Sequence, residues 1–260
     1  MSVLTMHDVT RTFESPDGTR LDVLRGTELV VDAGDRAAIV GRSGSGKSTL
    51  LNIAGLLDTP TSGTHEFLGI DATRLSSGRR DRLRGEEIGF VFQQFNLVQG
   101  LTAVENVVVP LLYASGSRFW RRRSVAADML DRVGLSHRLD ALPHRMSGGE
   151  QQRVAIARAL VQQPALILAD EPTGALDGTT GDVVMTLLET VAEESGAALV
   201  TITHDPAVAA RAQIVHTMVD GRMAASPVDS VDSVEAGAPV EPGAPVPAGA
   251  PVDAVAAVTA

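Results

Sequence analysis

One stretch constrains this chain more than any other: Gly41-Arg42-Ser43-Gly44-Ser45-Gly46-Lys47-Ser48-Thr49. It stands between an apolar run, 37–40, that reads as a strand, and a helix expected to open at Ser48. Glycines at 41, 44 and 46 let the backbone curl so that successive N–H groups point inward, and the helix adds the positive end of its dipole. This is a cradle for nucleotide phosphates. Lys47 supplies a point charge for the β- and γ-phosphates, and the Ser48 hydroxyl is placed to ligate Mg²⁺. Composition marks the same position: of 22 Lys and Arg residues, Lys47 is the single lysine. A compact ammonium fits between phosphate oxygens where a planar guanidinium is too wide, so here the two cations are least interchangeable.

The chain of 260 residues, 44% apolar, can bury one large core and a small subdomain. It has no cysteine, so neither a disulfide framework nor a thiolate zinc site is available, which suits a cytosolic protein. Residues 1–13 mix charge with apolar side chains and lack a signal-peptide apolar region. No stretch approaches the ~20 apolar residues of a membrane span. A soluble or peripheral chain is expected. The net charge is −10, and five acids (Asp229, Asp232, Glu235, Glu241, Asp253) follow Arg222, the last basic residue. No basic stripe is long enough to track a nucleic-acid backbone, so no nucleic-acid partner is expected. Residues 226–260 repeat Gly-Ala-Pro-Val and read as a disordered acidic tail after a domain spanning 1–225.

From the front, 4–13 and 21–31 have strand character around a turn at Ser15-Pro16-Asp17-Gly18, which implies an antiparallel β layer. Leu50, Leu51, Ile53, Ala54, Leu56 and Leu57 give a buried helix, and 88–93 another short strand. Thr102–Glu105 and Ser147–Glu150 have capping-box spacing, and 124–133 reads as a helix stopped by Gly134. Three helices within about 95–160 suggest an inserted helical subdomain. Strand 166–169, helix 182–194, strand 198–203, a helix from Asp205-Pro206 and strand 214–219 then restore α/β alternation. The fold class is therefore α/β with a mostly parallel sheet, an N-terminal antiparallel layer and a helical insertion, its ligand at the sheet's carboxyl edge.

Candidate chemistry lies along that edge. The strand leading to Asp170-Glu171 is apolar and ends in two acids. Asp170 would reach the metal, directly or through water, and Glu171 would polarise the attacking water. Gln93 can orient water or touch the metal, and His204 can reach the γ-phosphate, although a lone histidine after a strand is often structural. Ser147-Gly148-Gly149 heads a helix with unpaired N–H groups, a second anion site. One nucleotide does not need two cradles from one chain, so a head-to-tail pair of chains is the economical solution.

Taken together, these motifs resemble the nucleotide-binding subunits of ATP-binding-cassette (ABC) transporters over roughly residues 1–224. The resemblance rests on the phosphate loop, Gln93, Met-Ser-Gly-Gly-Glu-Gln-Gln-Arg (146–153), Leu-Ala-Asp-Glu-Pro (168–172), Ala-Leu-Asp (175–177) and His204, all in family order. Segments 89–97, 105–111 and 170–174 look like the branch serving lipoprotein release, macrolide and peptide export, and cell division. The resemblance implies a P-loop NTPase core of ABC type that uses ATP and Mg²⁺. It implies a homodimer closing around two ATP molecules at the cytoplasmic face of the membrane and driving a separate permease that exports or extracts a hydrophobic or lipoprotein-like substrate. The alternative is an ATPase cycle that signals through a membrane partner to cell-wall hydrolases. The family stacks adenine on a tyrosine near the N-terminus, and the matching position here looks like Phe13, which keeps the π face without the hydroxyl. Met146 replaces the family's usual leucine. Arg118-Phe119-Trp120-Arg121-Arg122-Arg123 reads as a solvated helix start or as a contact with an acidic membrane surface or the permease.

Overall fold

The computed structural model describes residues 1–14, 16, 18–112 and 117–226. The tail expectation for 226–260 therefore lies almost wholly outside the described residues, as does part of the turn at 15–18. Along the chain, strands β1 (Ser2–Glu14), β2 (Arg20–Asp32) and β3 (Arg36–Val40) lead to helix α1 (Lys47–Ala54), which opens one residue before Ser48. Then come β4 (Ser62–Phe67), β5 (Ile70–Asp71), α2 (Ser77–Glu87) and β6 (Ile88–Phe92). Helices α3 (Ala103–Leu111), α4 (Ser117–Trp120), α5 (Arg122–Arg132) and α6 (Gly148–Leu160) follow, with no strand among the described residues between them. The α/β alternation resumes with β7 (Leu166–Asp170), α7 (Gly178–Ser195), β8 (Ala198–Ile202), α8 (Pro206–Ala209), β9 (Ile214–Val219) and β10 (Arg222–Ser226).

Two sheets result. The first, ordered β2-β1-β4-β5, is antiparallel throughout and fulfils the expected N-terminal layer. The second is ordered β10-β9-β3-β8-β7-β6 and is parallel except for β10. β10 is joined to β9 by the two-residue turn Asp220-Gly221, both at positive φ (48° and 75°), as a primed hairpin turn requires.

The central strands β7 and β8 are buried on both faces, and they sort their side chains by the two-residue period. Leu166, Leu168, Ala198, Val200 and Ile202 join a core with α1 and the antiparallel sheet. Ile167, Ala169 and Leu199 point the other way, into a core with α3, α5, α6 and α7. Strands facing a core on either side read as continuous apolar runs, which is why these segments were visible in the sequence.

Several boundaries differ from the expectation. Leu57 lies beyond the end of α1 and is 48% exposed, and within the helix Ser48 and Asn52 are exposed, so α1 is not buried all round. α7 starts at Gly178, four residues before the expected Asp182, because Asp177 accepts a hydrogen bond from Thr180 N at 3.0 Å and caps it. Both capping boxes form as read: Thr102 N donates to Glu105 and Ser147 N to Glu150, each at 2.8 Å. The sequence reading missed α2, which buries none of its residues and so carries no apolar period, and β4 and β5.

Candidate active site

Strands β3, β6, β7 and β8 point their carboxyl ends at one cleft of about 570 Å³. In the loop after β3, Gly46 has φ 105° and Gly44 φ 79°, left-handed conformations that favour glycine. Gly41 answers a different demand: a Cβ there would lie 2.3 Å from the Met218 carbonyl oxygen of β9. The loop thus passes against a neighbouring strand's backbone before turning. Lys47 Nζ donates to the Gly41 and Arg42 carbonyls at 2.7 and 3.0 Å, which holds the ammonium inside the curl of the loop.

Two acids arrive on β7. Asp170, its last residue, is half-buried, and its carboxyl is raised above the usual range by burial, then by the neighbouring Glu171 charge, with Lys47 opposing. Glu171 follows with φ 46°, an uncommon conformation for a side-chain-bearing residue, and its N–H is held by the Ile202 carbonyl at 2.9 Å. Its carboxylate meets two groups from the end of β8. His204 Nδ1 lies 2.7 Å from Oε1, and Thr203 Oγ1 donates to Oε2 at 3.4 Å. The His204 pKa is raised, chiefly by that hydrogen bond and then by the Glu171 charge. Gln93, directly after β6, reaches across to Gly174, where a Cβ would sit 2.9 Å from Gln93 Nε2.

The structure therefore brings together on one cleft Gly41, Arg42, Ser43, Gly44, Gly46, Lys47, Ser48, Thr49, Gln93, Asp170, Glu171 and His204. Ser45 is not on the cleft wall; it is buried, and its Oγ has no hydrogen-bond partner. Phe13 also stands apart from the cleft lining. It is 40% exposed on β1 with the Arg11 guanidinium 4.5 Å over its ring, and Arg11 is fixed by Asp58 at 2.9 Å. Val23 and Ile202 line the cleft and were missed, because nothing separates one aliphatic strand residue from another in the sequence. Oxygen donors Ser48 Oγ, Asp170 and Gln93 come from three elements to the same cleft, a set that suits a hard cation also held by phosphate oxygens.

Ser147, Gly148 and Gly149 lie outside this cleft. Ser147 is exposed at the start of α6. Gly149 has a packing role as well, since a Cβ there would lie 2.5 Å from Thr180 Cγ2 at the start of α7. Two further contacts tie α6 to the cleft. Gln152 Nε2 donates to the Pro172 carbonyl just past the acids at 2.6 Å, and the Arg158 guanidinium donates to Asn96 O at 2.6 Å and Phe95 O at 3.0 Å, just past Gln93.

A phosphate loop, paired acids and a histidine on adjoining parallel strands, with a helical insertion between β6 and β7, define a nucleotide-binding cassette. Comparison with known proteins agrees: residues 24–174 match the family described as ABC transporter, and the chain belongs to that family. It is similar to the lipoprotein-releasing system ATP-binding protein LolD of Shewanella frigidimarina, 49% identical over 199 residues, covering 76% of this chain and 83% of that one. It is also similar to the macrolide export ATP-binding/permease protein MacB of Syntrophobacter fumaroxidans, 46% identical over 222 residues, covering 85% of this chain and 31% of that one. Pyoverdine export ATP-binding/permease protein PvdT of Pseudomonas fluorescens is 45% identical over 236 residues, covering 91% of this chain and 36% of that one. The chain thus spans about a third of the length of these ATP-binding/permease relatives. Among solved structures, the ATP-binding cassette MJ0796, described as dimeric and bound to ADP and Pi, superposes with TM-score 0.79 at 39% identity, covering 86% of this chain and 98% of that one.

Proposed function

We propose that this chain is the ATP-binding and ATP-hydrolysing subunit of an ABC transporter, dimerising around two ATP molecules at the cytoplasmic face of a membrane. The observation that carries the reading is the Glu171–His204 pair facing the same cleft as Lys47 and Ser48. Loop N–H groups and Lys47 hold the phosphates, while Ser48, Asp170 and Gln93 would hold Mg²⁺. When bound, Mg²⁺ neutralises charge on the β- and γ-phosphate oxygens. Glu171 accepts a proton from the attacking water as it closes on the γ-phosphorus, and ADP leaves as the bridging P–O bond breaks. His204 holds the carboxylate through Nδ1 and, lining the same cleft, would offer its other ring nitrogen to the γ-phosphate.

The dimer follows from the position of Ser147. The capping box occupies the Ser147 and Glu150 N–H groups, but this helix start is exposed at Ser147 and lies outside the chain's own cleft, so the Gly148 and Gly149 N–H groups are the ones offered to the nucleotide of a second copy. Phe13 would offer a stacking face to adenine. No described helix is long and apolar enough to cross a membrane. The permease is a separate chain in this reading, as the name and length of LolD suggest, and its substrate is hydrophobic or lipoprotein-like. The ATPase domain spans residues 1–225, its helical subdomain about 95–160. Sedimentation of Glu171→Gln tests the proposal: a dimer should form with ATP and Mg²⁺ and dissolve without them. A persistent monomer counts against it. Co-purification from detergent-solubilised membranes should yield the permease.

A further inference from the structure

The chain has eight aromatic residues: one Trp, one Tyr and six Phe. The sole tyrosine (Tyr113), Phe119 and the sole tryptophan (Trp120) fall between positions 113 and 120, and Arg118, Arg121, Arg122 and Arg123 are interleaved with them and follow them. Residues 226–260 have no aromatic at all, and the chain as a whole carries −10. Such a clustering of scarce residues is the motif that the nucleotide site does not use.

In the structure α4 presents Trp120 at 82% exposure, and Leu112, at the end of α3, is also half exposed. Trp120 does not hang loose. Its ring meets Phe119 edge to face with centroids 5.4 Å apart. The Arg122 guanidinium lies 4.7 Å over Phe119 and donates to its carbonyl at 2.8 Å, which braces the corner between α4 and α5. Arg121 and Arg123 are exposed. Two carboxylates face the cluster: Asp140, 3.0 Å from Arg123 in an exposed pair of small worth, and Glu105, which feels the Arg123 charge. Among the described residues, the three guanidinium groups of Arg121, Arg122 and Arg123 against two carboxylates leave a local positive excess on an acidic protein.

We infer that this corner, Trp120 with Arg121, Arg122 and Arg123, docks on the anionic headgroups of a lipid bilayer. Tryptophan is the side chain that settles at headgroup depth, and arginines beside it pair with lipid phosphates. An acidic body is repelled by an anionic surface in every orientation except one that presents a basic patch, so the corner also sets which way the subunit faces. A protein partner would instead need a fitted pocket for an outward-projecting indole. The nucleotide cleft takes no part in this contact.

Because Trp120 is the only tryptophan, the intrinsic indole emission of the full chain reports on this corner alone. Without nucleotide, vesicles of phosphatidylcholine mixed with phosphatidylglycerol should shift that emission to the blue and pull the chain down on sedimentation. Pure phosphatidylcholine vesicles should do neither, and added salt should reverse both effects. The double variant Arg121→Gln, Arg123→Gln should bind roughly 20-fold more weakly, about fivefold per arginine, and Trp120→Ala should weaken sedimentation further. An unmoved emission maximum, equal binding to neutral vesicles, or a double variant that binds as well as the native chain would overturn the inference. So would a shift that requires a membrane protein in the vesicles, which would assign the corner to a protein partner. ATP hydrolysis measured on the same samples separates the readings: binding without hydrolysis refutes only the ATPase, and hydrolysis without binding refutes only the lipid dock.

Discussion

His204 and Glu171 stand 2.7 Å apart, Nδ1 to Oε1, although 33 positions separate them and they belong to different strand ends. The histidine side chain is 74% exposed, while the carboxylate is nearly enclosed. The histidine's titration is therefore the readable half of the pair. Its pKa is raised from about 6.5 by the carboxylate, so the ion pair's contribution is fully present below the ordinary imidazole value. It fades as pH rises through the elevated folded value. Glu171→Gln removes the carboxylate charge and leaves at most a neutral amide acceptor, so the His204 proton resonance should titrate at lower pH than in the native chain. Identical NMR titration curves would mean that the pair does not exist in solution.

The two acids should fail differently. Asp170→Asn removes a carboxylate from the metal side and should weaken Mg²⁺-dependent nucleotide binding. Glu171→Gln should leave binding intact and lower turnover by about 10²-fold or more, the scale of a lost transition-state contact. Equal effects of both variants on both steps, measured by equilibrium binding and phosphate release, would undo the assignment of roles.

Amine chemistry can address Lys47 almost alone, since the N-terminus is the only other primary amine of the chain. Saturating ATP should protect Lys47 from an acylating reagent while N-terminal labelling stays constant, a ratio read by mass spectrometry of the digest. Lys47→Arg keeps the charge but not its shape, and should impair hydrolysis despite the arginines found everywhere else. A fully reactive Lys47 in the presence of bound ATP would show that the ammonium lies away from the phosphates.

Two loop glycines should respond to different substitutions. Gly44 has open space around it and φ 79°, so Gly44→Asn, which tolerates the left-handed region, should stay within about 1 kcal/mol of native stability. Gly41→Ala drives a Cβ against the Met218 carbonyl oxygen and should cost about 1–3 kcal/mol and displace the loop. Urea unfolding and nucleotide binding would check both; a harmless Gly41→Ala would mean that the strand can retreat.

What the sequence revealed and what it concealed divide along physical lines. The buried strands Leu166–Asp170 and Ala198–Ile202 were plain because both faces are apolar, and the capping boxes were plain because side-chain chemistry fixes their spacing. The polar α2 had no periodicity to detect. β10 was legible in principle from Asp220-Gly221 behind a strand, yet the turn is only two residues long and the strand carries little apolar character. At the site, the loop, Asp170, Glu171, Gln93 and His204 could be named because each ends a recognisable strand. Val23 could not be found, since its place on the cleft depends on how β2 folds across the loop. Gln152 was hidden for a related reason: its partner is a backbone carbonyl 20 positions away, which no residue pattern reports.

Helix α6 has a mechanical consequence. Its first turn carries Ser147 outward, its middle is fastened by Gln152 to the backbone just beyond Glu171, and its far end delivers the chain into β7, the strand that holds both acids. A helix of 13 residues is a stiff rod about 20 Å long. A displacement at Ser147 would therefore reach the end of β7 as a push or a tilt through Gln152. The same rod works in reverse, so strain relieved at Glu171 is felt at the outer surface. On the proposed roles of Ser147 and Glu171, the surface offered to a second copy and the acid beside the phosphates would be two ends of one rigid element.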